Sequence, residues 1–488
     1  MRKWKVLAVL LAVAFVAIPS FGQTNEELLR RMDAMQAQID ALATENDGLR
    51  SEKDDELLEA QINVLSERLV AGTTVKSVAN PVTLTGEFRN RSGWSIGDTF
   101  LGEEHEGSWS DTRVRLGFAY DFTRDVTAFA ELQSHWAWGD GGSTDGFFNG
   151  EVTTDVDMYQ AWIEMRNVFN RPELSSRSGR QEIVLGNQFQ FGNADWYNGW
   201  VFDASRFDWD SEAFSITGII AKLTSFDRDF NQVTSFFTPH DDDSLYSVYF
   251  TLKTIKNNKL DLYWIYINGH GGATGGSGNY INSLGFSPGG TYYFHTLGAR
   301  FGGVLPSVAA GLDYNVEGAY QFGSINPGGN DVDGWAVEAE VGLTFSKESM
   351  FRVYVRFLWA EGPDGGDSGY IPLFPNRHSN TGFRARYGIF DLIPMANVLT
   401  LQAGVSFDPA KDWTIGLGAI WATTDEDVGP LQDDYGWEID AWVEHRYSEV
   451  LTVGAGMAVL FPDDAIEFLW GIDDDTQWLF YLQARLLF

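Results

Sequence analysis

The chain has 488 residues, no cysteine and a formal net charge of -34. The absence of cysteine excludes disulfides, cysteine-ligated metals and a lipid anchor on Cys. The acidic excess excludes general nucleic-acid binding by phosphate neutralisation, so partners are expected to be neutral, cationic or locally steered.

Arg2, Lys3 and Lys5 precede an apolar run from Val6 to Ile18 and the small-residue site Ser20-Phe21-Gly22, the pattern of a secretory signal over residues 1–22. Cleavage would leave Gln23 first and, without those three cations, take the net charge from -34 to -37. The run is short for a membrane helix, and no later stretch approaches about 18 uninterrupted apolar residues.

Over residues 23–70 glycine nearly vanishes, and Leu28, Met32, Met35, Ile39, Leu42 and Leu49 fall three and four apart or in step with that repeat. This predicts a heptad seam, with Asn46 in a core slot where a polar residue fixes register. The seam breaks at Glu52 to Glu56 and resumes through Leu58, Ile62, Leu65 and Leu69. It predicts a periplasmic coiled coil that joins copies into a homo-oligomer; the alternative is a single amphipathic helix. Wholly helical, Asn25 to Leu69 would span about 65 Å.

After a linker at 71–81, the composition turns to Gly, aromatic residues and Thr, and the period falls to two. In Val82 to Arg91, the residues Thr83, Thr85, Glu87, Arg89 and Arg91 are polar while Val82, Leu84 and Phe88 lie on the other face. The alternation returns at Arg113 to Tyr120, Trp335 to Val341 and Phe351 to Phe357. Segments of about 10 residues suit tilted strands crossing a bilayer better than the shorter strands of a soluble sandwich. About 18 such segments follow Val82, so residues 82–488 are expected to form an all-β, transmembrane, antiparallel up-and-down barrel.

Tight turns are expected at Thr123 to Asp125, Trp209 to Glu212, Ser346 to Glu348, Asp408 to Lys411 and Tyr447 to Glu449. Long polar loops are expected at Asp140 to Asp155, Asp227 to Asp242, Gly271 to Gly289, Gly362 to about Ala396, Thr424 to Asp434 and Asp463 to Asp475. Short turns belong on the periplasmic side and long loops outside. The last strand sets Trp478, Phe480, Leu482, Ala484, Leu486 and Phe488 against Tyr481, Gln483 and Arg485. Its terminal Phe488 resembles the signal that outer-membrane assembly machinery reads on its clients.

The run Ser178-Gly179-Arg180-Gln181-Glu182-Ile183-Val184-Leu185-Gly186-Asn187-Gln188, then Asp195-Trp196 and Phe202-Asp203, resembles the bacterial alginate-export porin family. So does Leu312-Asp313-Tyr314-Asn315-Val316-Glu317-Gly318-Ala319-Tyr320-Gln321-Phe322-Gly323, followed by Trp335-Ala336 and Gly342-Leu343-Thr344-Phe345. The resemblance implies an eighteen-stranded barrel in the bacterial outer membrane, contacting its lipid, with an arginine-lined pore that passes an anionic uronate polymer. The expectation is a porin for passive passage of small polar or anionic solutes, possibly carbohydrate. The competing expectation is a structural anchor that tethers the envelope through the coiled coil.

By the alternation, Arg89, Arg91, Arg113, Arg115, Arg166, Arg300, Arg352, Arg356, Arg446 and Arg485 face the lumen. So do Glu87, Glu131, Glu164, Glu317, Glu338, Glu340, Glu438, Asp440 and Glu444, a mixed lining. Barrel closure sets Arg485 beside Arg89 and Arg91, with Arg113 and Arg115 one strand further, a basic strip able to guide carboxylates. Alternatively, each arginine is neutralised by a neighbouring acid; a hairpin centred near Lys347 would place Glu338 opposite Arg356. Selectivity candidates are therefore Arg89, Arg91, Arg113, Arg115, Arg352, Arg356, Arg485, Glu87, Glu131 and Glu317.

The Asp clusters at Asp241 to Asp243, Asp364 to Asp367 and Asp473 to Asp475 could take Ca²⁺, but none has EF-hand spacing and solvated loops are the simpler expectation. No cofactor is expected. Trp94, Trp136, Trp138, Trp196, Trp200, Trp264, Trp359, Trp421 and Trp478 suit interfacial girdles, with Trp196 and Trp200 alternatively stacking on sugar. No serine elbow, histidine pair for zinc or spaced Ser, His and Asp set is present, so no enzyme is expected.

Overall fold

The computed structural model describes residues 82–488 apart from 98–106, 139–155, 197, 224–242, 271–290, 310, 326–330, 379–385, 429–431, 471, 473 and 474. The signal, coiled-coil and linker segments lie outside the described residues. So do the long loops expected at Asp140 to Asp155, Asp227 to Asp242 and Gly271 to Gly289.

The strands are, in chain order, β1 (Thr83–Ile96), β2 (Gly107–Thr123), β3 (Val126–Trp138), β4 (Asp157–Met165), β5 (Leu174–Gln181) and β6 (Phe202–Asp210). Then come β7 (Phe214–Lys222), β8 (Ser244–Leu252), β9 (Asn258–His270), β10 (Thr291–Leu305), β11 (Gly311–Ser324) and β12 (Asp331–Thr344). The last are β13 (Arg352–Ala360), β14 (Val398–Phe407), β15 (Trp413–Val428), β16 (Gln432–Arg446), β17 (Leu451–Pro462) and β18 (Gln477–Leu487). One short helix, α1 (Asp464–Trp470), lies between β17 and β18.

Every strand pairs antiparallel with its neighbour in sequence, and β18 pairs with β1 from Glu87 opposite Leu487 to Ile96 opposite Trp478. The eighteen-stranded sheet therefore closes on itself, which leaves no unpaired edge. Phe488 completes the seam: its N–H donates to the Gly86 carbonyl at 3.0 Å and its carbonyl accepts from the Gly86 N–H at 2.8 Å.

Side chains alternate across this wall because the strand period is two. On β1, Glu87, Arg89 and Arg91 are buried inside while Phe88 and Trp94 are exposed outside. Leu262, Leu297, Val316, Val355, Leu417 and Leu482 extend the exposed apolar face around the barrel. Aromatic contacts mark both of its rims. At one end Trp264 and Tyr266 stack with His295, and Tyr320 with Trp335; at the other, Tyr120 meets Phe122, Phe345 meets Phe351 and Trp413 stacks on His445. Trp94 and Trp478 share the outer face. Trp196 does not, and Trp200 packs inward against Phe374.

Connections are short at the end where Phe488 meets β1, and longer at the opposite end. One expected loop is a correction: Thr424 to Asp434 is largely strand, because β15 continues to Val428 and β16 begins at Gln432. The longest described connection, between β13 and β14, is exposed at residues 363–366 and buried over most of the rest of its described length. It turns inward and joins the connection between β5 and β6 inside the barrel.

Candidate functional site in the barrel lumen

The register of the closing strands sets up an unusual row. Arg485 on β18 is directly opposite Arg89 on β1, which is opposite Arg113 on β2, which is opposite His135 on β3. One step toward the short-turn end, Glu87 pairs with Arg115; one step the other way, Arg91 pairs with Asp111. Like charges directly opposite on neighbouring strands destabilise a sheet. Guanidiniums removed from water need carboxylates and a full set of acceptors, or the desolvation penalty dominates.

Two acids come from the wall itself. Glu87 holds Arg113 and Arg485, each at 2.6 Å. Asp111 holds Arg91 at 3.2 Å and His135 at 3.1 Å. The third comes from the β5–β6 connection: the Asp195 carboxylate binds Arg113 at 2.8 Å, Arg115 at 2.7 Å and Arg485 at 2.8 Å. Its backbone carbonyl also accepts from Arg89 at 2.7 Å and from Arg113 at 2.8 Å. Burial pushes the Asp195 carboxyl up, but Arg113, Arg115, Arg485 and Arg89 outweigh it and hold it far below the usual carboxylate range. Below Asp195, toward the short-turn end, a cavity of about 490 Å³ is lined by Glu87, Arg115, Glu131, Glu182 and Arg485 among others.

The next residue, Trp196, is also buried. It stacks on His378 of the β13–β14 connection with centroids 4.4 Å apart and meets Tyr481 of β18 edge-on at 5.2 Å. The Arg91 guanidinium lies over its ring at 4.5 Å. The His378 Nε2 is 2.6 Å from the Asp391 carboxylate. The two connections are tied further by Phe374 N–H to the Gln190 carbonyl, Gly192 N–H to the Phe374 carbonyl and Asn376 N–H to the Gln188 carbonyl. Arg386 anchors them to the wall, donating to the Asn187 carbonyl at 2.7 Å and to Glu338 at 2.7 Å. An apolar core of Tyr370, Tyr387, Ile389, Leu392 and Ile393 packs against lumen-facing Ala336, Leu358 and Ile420. Together they make a plug across the lumen.

The remaining candidates sit on other parts of the wall. Arg352 pairs with Asp313 at 2.5 Å and Glu340 at 2.6 Å, and Arg356 with Glu340 at 2.5 Å. The expected Glu338 and Arg356 register is corrected: Glu340 is opposite Arg356, because the hairpin centres one residue later, at Glu348. Glu338 faces Leu358 in the register, holds Arg386 of the plug at 2.7 Å and still lies 4.0 Å from Arg356. Glu317 accepts from Tyr263 at 3.0 Å and lies beside Glu338, while Glu131 accepts from Gln160 at 2.9 Å. Arg166 and Arg446 lie at the short-turn rim, outside β4 and at the end of β16, with exposed side chains. So the structure gathers Arg89, Arg91, Arg113, Arg115, Arg485, Glu87 and Glu131 into one region and leaves Arg352, Arg356 and Glu317 elsewhere. Among the described residues, no group of three or more His, Asp or Glu is placed to hold a metal ion.

Strand alternation does not reach Asp195, His378, Arg386 or Asp391, which lie on connections. A usable signal was present: Tyr370-Ile371-Pro372-Leu373-Phe374 and Tyr387-Gly388-Ile389-Phe390 are apolar runs inside a connection that would otherwise face water.

The sequence signature described as alginate export matches residues 115–427, well over half of the chain. The chain belongs to the alginate export family. This family member is similar in fold to a BenF-like porin from Pseudomonas fluorescens Pf-5, with TM-score 0.59 and 10% identity over 84% of this chain and 99% of that one. It is also similar to Pseudomonas aeruginosa OccK11 (OpdR), with TM-score 0.53 and 9% identity over 83% and 96%. A third is the Pseudomonas aeruginosa outer membrane protein opdK, at TM-score 0.52 and 8% identity over 83% and 99%. These likenesses establish a porin-like barrel for the alginate export family member. No curated protein matches it.

Proposed function

We propose that the chain is a channel in the bacterial outer membrane for passive passage of small polar or anionic solutes, among which carbohydrates bearing carboxylates suit it best. One observation carries this: five guanidiniums, Arg89, Arg91, Arg113, Arg115 and Arg485, converge inside a closed barrel and outnumber the four carboxylates in direct ion pairs with them, Glu87 and Asp111 of the wall and Glu182 and Asp195 of the β5–β6 connection. Inside a protein-walled pore such an excess attracts anions more strongly than it would in water. The exposed apolar face with aromatic rims supports residence in a bilayer, and family membership supports transport. Residues 1–22 are proposed to export the chain and residues 23–70 to form a periplasmic helix. Phe488 is proposed to present the strand that the assembly machinery recognises.

Single-channel recording in planar bilayers tests the reading, with salt-gradient reversal potentials and titration by oligouronate, neutral oligosaccharide and amino acids. Stable conductance that the oligouronate blocks is expected. No conductance from correctly folded protein would overturn it and favour an anchor that tethers the envelope.

A further inference from the structure

The outer wall of the barrel is not alike all round. From β8 to β14 its outward positions near mid-strand are large, apolar and exposed, as at Val248, Leu262, Leu297, Val316, Val355 and Leu401. On β1 and β2 the pattern changes. Asn90 and Ser92 point outward between exposed Phe88 and Trp94, inside the band that hydrocarbon would cover. Their neighbours across the strand pair are Thr112 and Ser110, with the Ser92 and Ser110 hydroxyls 2.9 Å apart. Asn90 donates to the Thr112 hydroxyl at 3.0 Å and to the Asp111 carbonyl at 3.1 Å. Ser134 of β3, opposite Val114, extends the row. Hydroxyls and carboxamides are costly against lipid chains and are favoured where two proteins meet in a membrane, together with small residues that permit close approach.

The small residues lie a few strands away. Across β15 to β18 and the edge of β1, the same outer face holds a groove of about 420 Å³, lined by Ala441 and Ala455 and by the larger Ile415, Met457, Phe480 and Trp94 among others. Two distinct faces therefore flank the closing seam, a groove centred on β17 and a polar row centred on β2. Eighteen strands close the circle, so these centres, three strands apart, are separated by about 60° around the barrel axis. In a three-fold ring each member sees its two neighbours at that angle and offers a different face to each; in a two-fold pair it offers one face to itself.

We propose that the partner of this surface is a second copy of the chain, in a trimer of barrels where the groove of each copy meets the polar row of the next. The walls of β18 and β1 then surround the three-fold axis. Val82 leads into β1 at the short-turn end, so the segments preceding the three barrels start side by side around that axis. Residues 23–70 of those segments carry the heptad spacing expected of chains that associate. The inference rests on residence in a bilayer and not on conduction.

Light scattering and native mass spectrometry of the full chain in mild detergent test it, with three copies per particle expected. Ala455→Trp and the milder Ala441→Leu fill the groove with apolar side chains that point outward, where hydrocarbon tolerates them in a single barrel. Each is expected to raise the concentration at which trimers dissociate, by about tenfold or more for Ala455→Trp. Val316→Trp, on the far wall, is expected to leave it unchanged. Particles of one copy would overturn the inference, and a phospholipid retained on them would assign the groove to an acyl chain. Trimers that dissociate no more readily in either folded groove variant than in Val316→Trp would also overturn it, since the segment before β1 would then join the copies alone. Parallel conductance separates this from the channel reading: trimers that never conduct keep the interface and remove the channel, and a conducting single barrel does the reverse.

Discussion

Asp195 is the residue on which the lumen's charge balance turns. Arg113 touches it and Glu87 together, Arg115 and Arg485 converge on it, and all belong to three strands around the closing seam. Its carboxyl is pushed up by burial and pulled down further by the surrounding guanidiniums, to a net position far below an ordinary aspartate. A carboxyl lowered in the folded state stabilises that state at every pH above its ordinary range, and the contribution fades only as pH falls through the lowered value. The tie between Asp195 and the arginines is therefore intact throughout mild acid. Conductance is expected to stay flat from about pH 7 to pH 4 if this tie holds the plug. A steep rise over that interval in single-channel recordings would assign the plug to another carboxyl. The arginines themselves were legible in the sequence, since period-two alternation assigns Arg89, Arg91, Arg113, Arg115 and Arg485 to one face. Asp195 was not, because a residue in a connection has no alternation to place it and its partners are 80 and more residues away.

At the scale of elements, the plug is one unit made from two connections. Backbone bonds between Gln188 to Gly192 and Phe374 to Asn376 hold them like a short strand pair, and Phe191 and Phe374 form an isolated parallel bridge. His378 joins this unit to the site: it stacks on Trp196 and meets Asp391. Burial, with help from Arg377, Arg91 and Arg89, pushes its imidazole well below the usual range, which favours the neutral ring that stacks here. Replacing it by Ala removes a ring contact worth about 1 kcal/mol and a buried hydrogen bond of similar size. His378→Ala is accordingly expected to shift the closed-to-open balance by about tenfold or more toward open, read from dwell times in single-channel records. His378→Phe keeps the stack without the bond and is expected to fall between Ala and the parent. Equal dwell times in all three would mean that the plug is held by its apolar core alone. Hairpin positions were legible from turn residues and period, apart from the one-residue shift near Glu348 and the extended β15 and β16 pair. The inward course of the β13–β14 connection was visible only as an apolar run of the wrong character for a loop in water.

For the whole molecule, two charge distributions oppose one another. The chain is strongly acidic, with 68 Asp and Glu against 34 Lys and Arg, yet the arginines gather where β18 closes on β1. Eighteen strands and their closure followed from alternation and from the Phe488 end, but which wall would be basic depends on register at the seam, which joins residues nearly 400 apart. Selectivity depends on which distribution an ion meets at close range. Exposed charges are screened within about 8 Å at physiological ionic strength, whereas buried ones are screened far less. The seam should therefore dominate in salt, and the acidic surface should matter mainly at low ionic strength. Arg485→Gln removes one guanidinium while leaving Glu87 and Asp195 in place. It is expected to move the reversal potential under a salt gradient toward cations, with a shift that persists as salt rises. A shift of equal size from neutralising Asp364 and Asp367, two acids of the β13–β14 connection, would instead assign selectivity to the outer surface and leave the seam arginines a purely structural role.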